Sequence, residues 1–180
     1  QAIQSLDCDT EVVIVKTPGD IDQTTPIYEM GGKGVFCSTI EQELLNNNID
    51  VAVHSLKDMP GQETDGLSIS AMLKRNSPYD VIVGKIKMDC TIGTSSPRRK
   101  AQLLDLYDSL NINIKPIRGN IDTRLEKLDN GEYDAIVLAE AGLQALDIRR
   151  TTIKLPIVPA VGQGIIALQT RAGDQATIDI

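Results

Sequence analysis

Short β-branched runs separated by helix signals limit what this chain can become. Residues 11–15 (EVVIV), 49–53 (IDVAV), 67–73, 112–117 and 134–138 (DAIVL), and the run closing at Ile92-Gly93, each have the length and composition of a strand. Helix starts stand between them. Ser38-Thr39-Ile40-Glu41 has the form of a capping box, with Ile40, Leu44 and Leu45 as the apolar face behind it. Ser96 followed by Pro97 reads as an N-cap and first helical residue, and Leu103, Leu104 and Tyr107 continue that helix. Asn120 is positioned to cap a helix with Ile121, Leu125 and Leu128 on its inner face and Gly131 at its end. Residues 139–146 form a further helix. Strands alternating with helices predict an α/β fold with largely parallel sheets. The polar stretch 74–78 divides the chain into two α/β domains with a cleft between them.

Composition narrows the chemistry. The formal net charge is −7 over 180 residues, with one Phe and no Trp. Nucleic-acid binding calls for a basic face and, for single strands, stacking aromatics, so neither is expected here. A local basic cleft remains compatible with the acidic total. Cys8, Cys37 and Cys90 are scattered and His54 is the single histidine, which argues against a disulfide framework, a zinc site and a Ser-His-Asp triad. No apolar run approaches the roughly 18 residues of a membrane span. The expected class is a soluble protein of a reducing compartment, with no metal.

Four segments place polar groups directly after a strand, where open α/β sheets bind ligands. Residues 53–60 (VHSLKDMP) run from an apolar strand into Ser55, Lys57 and Asp58. They read either as a solvated loop with a Lys/Asp surface pair or as a carboxylate held at a cleft. His54 is expected to be a packed strand-end residue. Residues 93–100 (GTSSPRRK) combine Thr94, Ser95 and Ser96 with the backbone N–H groups of a helix start. Arg98 and Arg99 oppose the helix dipole there, which suggests that they serve an anion. Residues 118–124 (RGNIDTR) set Arg118, Asn120 and Arg124 around a glycine, and guanidinium forks suit carboxylates. Residues 158–164 (VPAVGQG) flank Gln163 with glycines, as a connector returning to the first domain does. Gly31-Gly32-Lys33-Gly34 lacks the spacing of a phosphate loop. One carboxylate among several cations suits a polycarboxylate ligand, for an enzyme or for a binding protein.

Together these segments resemble the hydroxymethylbilane synthase (porphobilinogen deaminase) family. The matching stretches are GGKGVF at 31–36, DVAVHSLKDMP at 50–60, IGTSSPRRKAQL at 92–103, IRGNIDTRLEKLDNGEYDAIVLAEAGL at 117–143 and PAVGQG at 159–164, in family order. The resemblance implies a cytoplasmic, monomeric transferase of tetrapyrrole and heme biosynthesis. It would condense four porphobilinogen molecules head to tail into hydroxymethylbilane, releasing ammonia, on a dipyrromethane cofactor. Its partners would be porphobilinogen and the growing polypyrrole, with no nucleic acid and no membrane. It further implies two periplasmic-binding-protein-like (type II) domains, residues 1–73 plus 165–180 and residues 79–158, hinged at about 74–78 and 159–164. Asp58 would be the catalytic carboxylate. Lys57, Arg98, Arg99, Arg118 and Arg124 would bind carboxylates, and Ser55, Thr94, Ser95, Ser96, Asn120 and Gln163 would be polar contacts. Lys33 and Phe36 would lie on a segment over the site.

Departures carry expectations too. The family's R-x-S-x-L-A segment precedes Gln1, and its third domain, with the cysteine that holds the cofactor, would follow Ile180. None of the three cysteines here has the matching context, so the resemblance assigns no attachment residue and implies an inactive protein if the chain ends there. The connections 2–11 and 83–91 are short for the family, suggesting omitted residues. Pro18 and Ala145 stand where basic residues are usual. The competing readings are a non-catalytic, periplasmic-binding-protein-like module for a small polycarboxylate, and a regulator's sensor domain, which would need a DNA-binding segment.

Overall fold

The computed structural model describes residues 9–21 and 37–179. Two sheets organise them. The first has three strands, β1 (Ala52–Ser55), β2 (Leu67–Met72) and β8 (Ile166–Arg171), in the order β1-β8-β2. The second has five, β3 (Asp80–Gly84), β4 (Thr91–Gly93), β5 (Asn113–Lys115), β6 (Ala135–Ala139) and β7 (Thr152–Lys154), in the order β5-β4-β6-β3-β7. β4 runs parallel to β5 and β6, while β3 is antiparallel to both of its neighbours. The α/β class expected from the sequence is the one observed. "Largely parallel" holds only for half of the second sheet, because β8 pairs antiparallel with both β1 and β2. The returning strand enters the first sheet from the far end, and a strand in that sense can only close an antiparallel ladder.

Helices cover the second sheet. α3 (Pro97–Leu106), α4 (Ile121–Asp129) and α5 (Glu140–Ala145) each follow a strand or its loop. Ser96 does cap α3: its side chain accepts from the Arg99 N–H, and Pro97 takes the first turn. Asn120 occupies the N-cap position of α4, but its side chain makes no cap bond. Gly131 follows that helix with φ +78, as a C-terminal glycine should. The sheet separates two apolar clusters, one containing Val81, Ile117, Ile136 and Leu143, the other Ile82, Ile92, Leu103 and Leu155.

The first sheet carries α2 (Ser38–Leu45) over a small cluster of Leu44, Ala52 and Leu67. The capping box does not form. Cys37 is the N-cap residue and its side chain makes no capping bond, and Glu41 turns inward, so the buried face is Glu41 and Leu44 while Leu45 points out. The strand expected at 11–15 is also absent among the described residues. That run forms no ladder, and Val12 and Ile14 are 79% and 85% exposed. It reaches β1 only at its end, where Val15 and Thr17 come beside Val53 before the short helix α1 (Pro18–Ile21). An apolar run without a partner strand has no ladder to satisfy its backbone. The last helix is α6 (Gln175–Ile178).

Residues 85–90, within the 83–91 connection, form a closed turn. Lys85 N–H donates to Asp134 C=O, Asp89 N–H to Leu110 C=O, and Lys87 pairs with Asp134. Most of the 2–11 connection lies outside the described residues.

The two crossings between the sheets, 73–79 and 155–165, bond to each other. Asn76 N–H donates to Gly164 C=O, Arg75 Nε to Gln163 C=O, and Gln163 Nε2 to Pro78 C=O. Gly164 has φ +87, and a Cβ there would come 2.7 Å from the carbonyl oxygens of both Asn76 and Ser77. Only glycine allows the two crossings to approach this closely.

Candidate active site

The end of β1 turns through a 3-10 segment, Leu56–Asp58, that carries Lys57 and Asp58 off the first sheet. Opposite them, the C-terminal ends of β4 and β5 deliver the starts of α3 and α4, with Arg98, Arg99, Arg118 and Arg124. The charges feel one another across this junction. The Asp58 side chain reaches solvent, but desolvation by the surrounding protein pushes its carboxyl above the ordinary value, against the pull of Lys57, Arg99, Arg124 and His54. Burial pushes the Lys57 ammonium down, aided by Arg99 and Arg124 and opposed by Asp58 and Asp80. Burial, Arg99 and Arg118 push the Arg124 guanidinium down, with Asp58 opposing. Lys57 and Arg124 are thus held where burial and neighbouring guanidinium groups disfavour their charge and Asp58 favours it.

Each side chain has a definite seat. Arg118 is buried and donates to the Gly19 carbonyl, which ties α1 to the second sheet. Arg124 Nε donates to the Gly119 carbonyl at 2.6 Å. Ser95 Oγ donates to the Ile117 carbonyl at 2.8 Å and accepts the Ile117 N–H at 3.0 Å, locking the ends of β4 and β5 together. Thr94 is buried and accepts the Ser96 N–H. Ser55 and Asn120 are exposed. Lys33 and Phe36 lie outside the described residues.

The arginine pair of α3 has a partner that the sequence reading missed. Asp80, fully buried at the start of β3, takes Arg98 Nη2 at 2.7 Å on Oδ2. On Oδ1 it takes Arg99 Nη2 at 2.6 Å, Arg99 Nε at 3.0 Å and Gln163 Nε2 at 3.0 Å. Burial alone would push this carboxyl up, but the two guanidinium groups and Gln163 hold it below the ordinary value. Arg99 gives its third nitrogen to the Val137 carbonyl. The Gln163 amide cannot be reversed, because its nitrogen faces two acceptors. Its Oε1 is left as a buried acceptor without a partner.

Below Asp58 lies a second buried polar chain. Thr64 Oγ1 and Gln169 Nε2 donate to the two oxygens of Glu41. Gln169 Oε1 must therefore accept, and His54 Nε2, 3.1 Å away, carries the proton. His54 Nδ1 faces Cys37 Sγ at 3.8 Å, and that thiol reaches the Asp58 carbonyl at 3.4 Å. His54 is thus a packed residue, as expected. Burial pushes the Cys37 thiol up to about 11, with Glu41 and Asp58 adding to the shift. A cavity of about 230 Å³ opens between this group, Ser55 and Asp58. Asp80 had a sequence signal: two arginines against a helix dipole require an acid, and Asp80 heads an apolar run. Gln169 had none, since an amide within a strand pattern is ordinary. Among the described residues no group of His, Cys, Asp and Glu could hold a metal ion, and no helix is long and apolar enough to cross a membrane.

The class that the fold and site define is an α/β protein of two sheets in which Asp58 of the first faces arginines at the helix starts of the second. Residues 1–179 match the family described as "Porphobilinogen deaminase, dipyromethane cofactor binding domain". The chain belongs to that family. It is 47% identical over 180 residues to "Porphobilinogen deaminase" of Ehrlichia canis (strain Jake), covering 94% of this chain and 60% of the relative. It is 43% identical to "Probable porphobilinogen deaminase" of Archaeoglobus fulgidus, covering 93% and 61%. It is 42% identical to "Porphobilinogen deaminase" of Francisella tularensis subsp. novicida (strain U112), covering 98% and 62%. The chain thus spans about three-fifths of the length of these curated relatives.

The donor set fits the family's cofactor. A dipyrromethane offers carboxylates and pyrrole N–H groups, and the site offers guanidinium and ammonium groups for the former, Asp58 and the orphan Gln163 Oε1 for the latter.

Proposed function

We propose that this chain forms the catalytic cleft of an enzyme that condenses four porphobilinogen molecules head to tail into hydroxymethylbilane, with release of ammonia. The observation that carries this reading is Asp58, a carboxylate of raised pKa that lies beside Lys57 and faces Arg99 and Arg124 across the junction of two lobes. The lobes would be residues 1–73 plus 165–180 and residues 79–158, hinged at about 74–78 and 159–164. The enzyme would be cytoplasmic and work as a monomer.

When bound, the dipyrromethane would supply the ring carbon to which each new ring is joined. Lys57, Arg98, Arg118 and Arg124 would hold its acetate and propionate groups, with Arg99 adding charge from behind. Ser55, Thr94, Ser95, Ser96, Asn120 and Gln163 would provide the polar surroundings, and Lys33 and Phe36 would lie over the site. Asp58 would face the pyrrole N–H groups. Loss of ammonia leaves a cationic ring, and a carboxylate fixed beside it in a partly dehydrated cleft stabilises that charge more than water does. With its carboxyl pushed above the ordinary value, Asp58 accepts and returns a proton more readily than an unperturbed carboxylate would. Each added ring brings two carboxylates, which is why an acidic protein concentrates its cations here.

The test is turnover in the complete protein. Porphobilinogen is supplied, the product is acidified and oxidised, and uroporphyrin absorbance is read. Asp58→Asn keeps the shape and removes the charge, so turnover should fall by about 10²–10³-fold with folding intact. Near-normal turnover in the variant would remove Asp58 from the chemistry, and no uroporphyrin from the unaltered protein would remove the function itself.

A further inference from the structure

We propose that Asp80 is the positioning residue of the cleft: it aims Arg98 at the ligand and ties that aim to the crossing between the lobes. The proposal rests on the polyanion-binding reading above. Three observations lead to it. Asp80 is buried and receives donors from three residues, two on α3 and one on the second crossing. Those three are not equivalent. The Arg99 side chain is 9% exposed and all three of its nitrogens are engaged within the protein, which makes it a strut. The Arg98 side chain is 27% exposed, held on Nη2 by Asp80 and on Nη1 by the Val158 carbonyl, which leaves part of its guanidinium open to solvent.

The remaining donor, Gln163, links the pair to the hinge. It bonds Asp80 and the Pro78 carbonyl with the same nitrogen, while its own carbonyl takes Arg75. Gln163 thus joins the second crossing both to the end of the first and to Asp80, so a swing of the second crossing pulls on the Asp80 cluster. Movement of the lobes therefore alters the support of Arg98. A single carboxylate against two guanidinium groups also leaves the cluster with a net positive charge, so it anchors the cations without cancelling their attraction for a carboxylate. A side chain that is pre-aimed loses less rotamer entropy on binding, and so binds more tightly, than one that must be ordered by the ligand.

Asp80→Asn and Asp80→Glu in this 180-residue chain test the idea by two readouts. The first is calorimetric affinity for porphobilinogen. Asp80→Asn should weaken it by about tenfold, with Asp80→Glu recovering part of the loss because the charge returns at a displaced point. Unchanged affinity in a folded Asp80→Asn protein would overturn the proposal. The second readout is the nitrogen-15 NMR signal of the Arg98 Nη2 group, which Asp80 holds and which needs no ligand. It should be sharp and slowly exchanging in the parent and broadened or lost in Asp80→Asn. If the signal is unchanged, Asp80 does not position Arg98. If the parent binds no porphobilinogen, the functional reading fails, and the NMR signal alone decides for or against positioning. Should Asp80→Asn not fold, Asp80→Glu carries both measurements, with a weakened affinity and a shifted Arg98 signal expected and no change in either counting against the proposal.

Discussion

The five-stranded sheet lies between two apolar clusters whose central residues, among them Val81, Ile82, Ile92 and Ile136, are wholly buried. The three-stranded sheet has a core of Leu44, Ala52 and Leu67, and beside it a buried chain of polar groups: Thr64, Glu41, Gln169 and His54. One lobe is held mainly by apolar packing, which is strong and indifferent to direction. The other depends on hydrogen bonds, which are modest in net energy and costly when broken. The chemistry divides along the same line. The packed lobe carries the arginines, which repel one another and need a rigid frame. The wired lobe carries Asp58, whose backbone carbonyl is held by the end of that wire through Cys37.

The comparison can be broken by core truncation. Ile136→Ala should cost about 3–4 kcal/mol and destabilise the five-stranded lobe. Leu44→Ala should cost a similar amount but raise amide exchange in β1, β2 and β8 while sparing β3, β4 and β6. Exchange rising uniformly in either variant would mean that the lobes unfold as one unit.

A smaller effect is expected where the lobes meet. Gly164→Ala combines positive φ with a collision against two carbonyls and should cost about 2–3 kcal/mol in urea unfolding. Gly173→Ala also has positive φ, but nothing lies within 4 Å of its added Cβ. It should cost only about 1 kcal/mol. Equal costs would show that the crossings are free to separate.

The smallest effect separates the lobes by pH. Burial lowers the His54 pKa in the folded state. Below the ordinary histidine value of about 6.5, the unfolded chain binds the proton more readily, so stability falls as the pH is lowered through that window. Asp80 is also held below its ordinary value, so its contribution is complete above about pH 4 and disappears only as the folded group takes up its proton. On acidification, amide exchange should therefore quicken first in the three-stranded lobe and only later around β3. His54→Gln should abolish the first step. Simultaneous loosening of both lobes would refute the assignment.

Strand and helix signals were local, and they were legible in the residues. The Ser96-Pro97 start and the Gly131 stop were read correctly because capping and positive φ are decided within one turn. The chain also passes from one sheet to the other within a polar stretch that lies between strand runs. The cationic segments were also legible, since four strand ends carrying Lys and Arg need no tertiary knowledge to be noticed. Tertiary structure decided the rest. Glu41 was drawn from a capping box into a buried pair of hydrogen bonds, because Gln169, 128 residues away in sequence, offered a donor where water could not reach. Among the described residues the run at 11–15 has no partner strand, though its composition invites one. Arg98 and Arg99 look alike in sequence, and only the position of Asp80 makes one a strut and the other a cleft cation. Local signals report what a residue prefers, whereas burial and pairing with distant groups determine which of its possible partners it obtains.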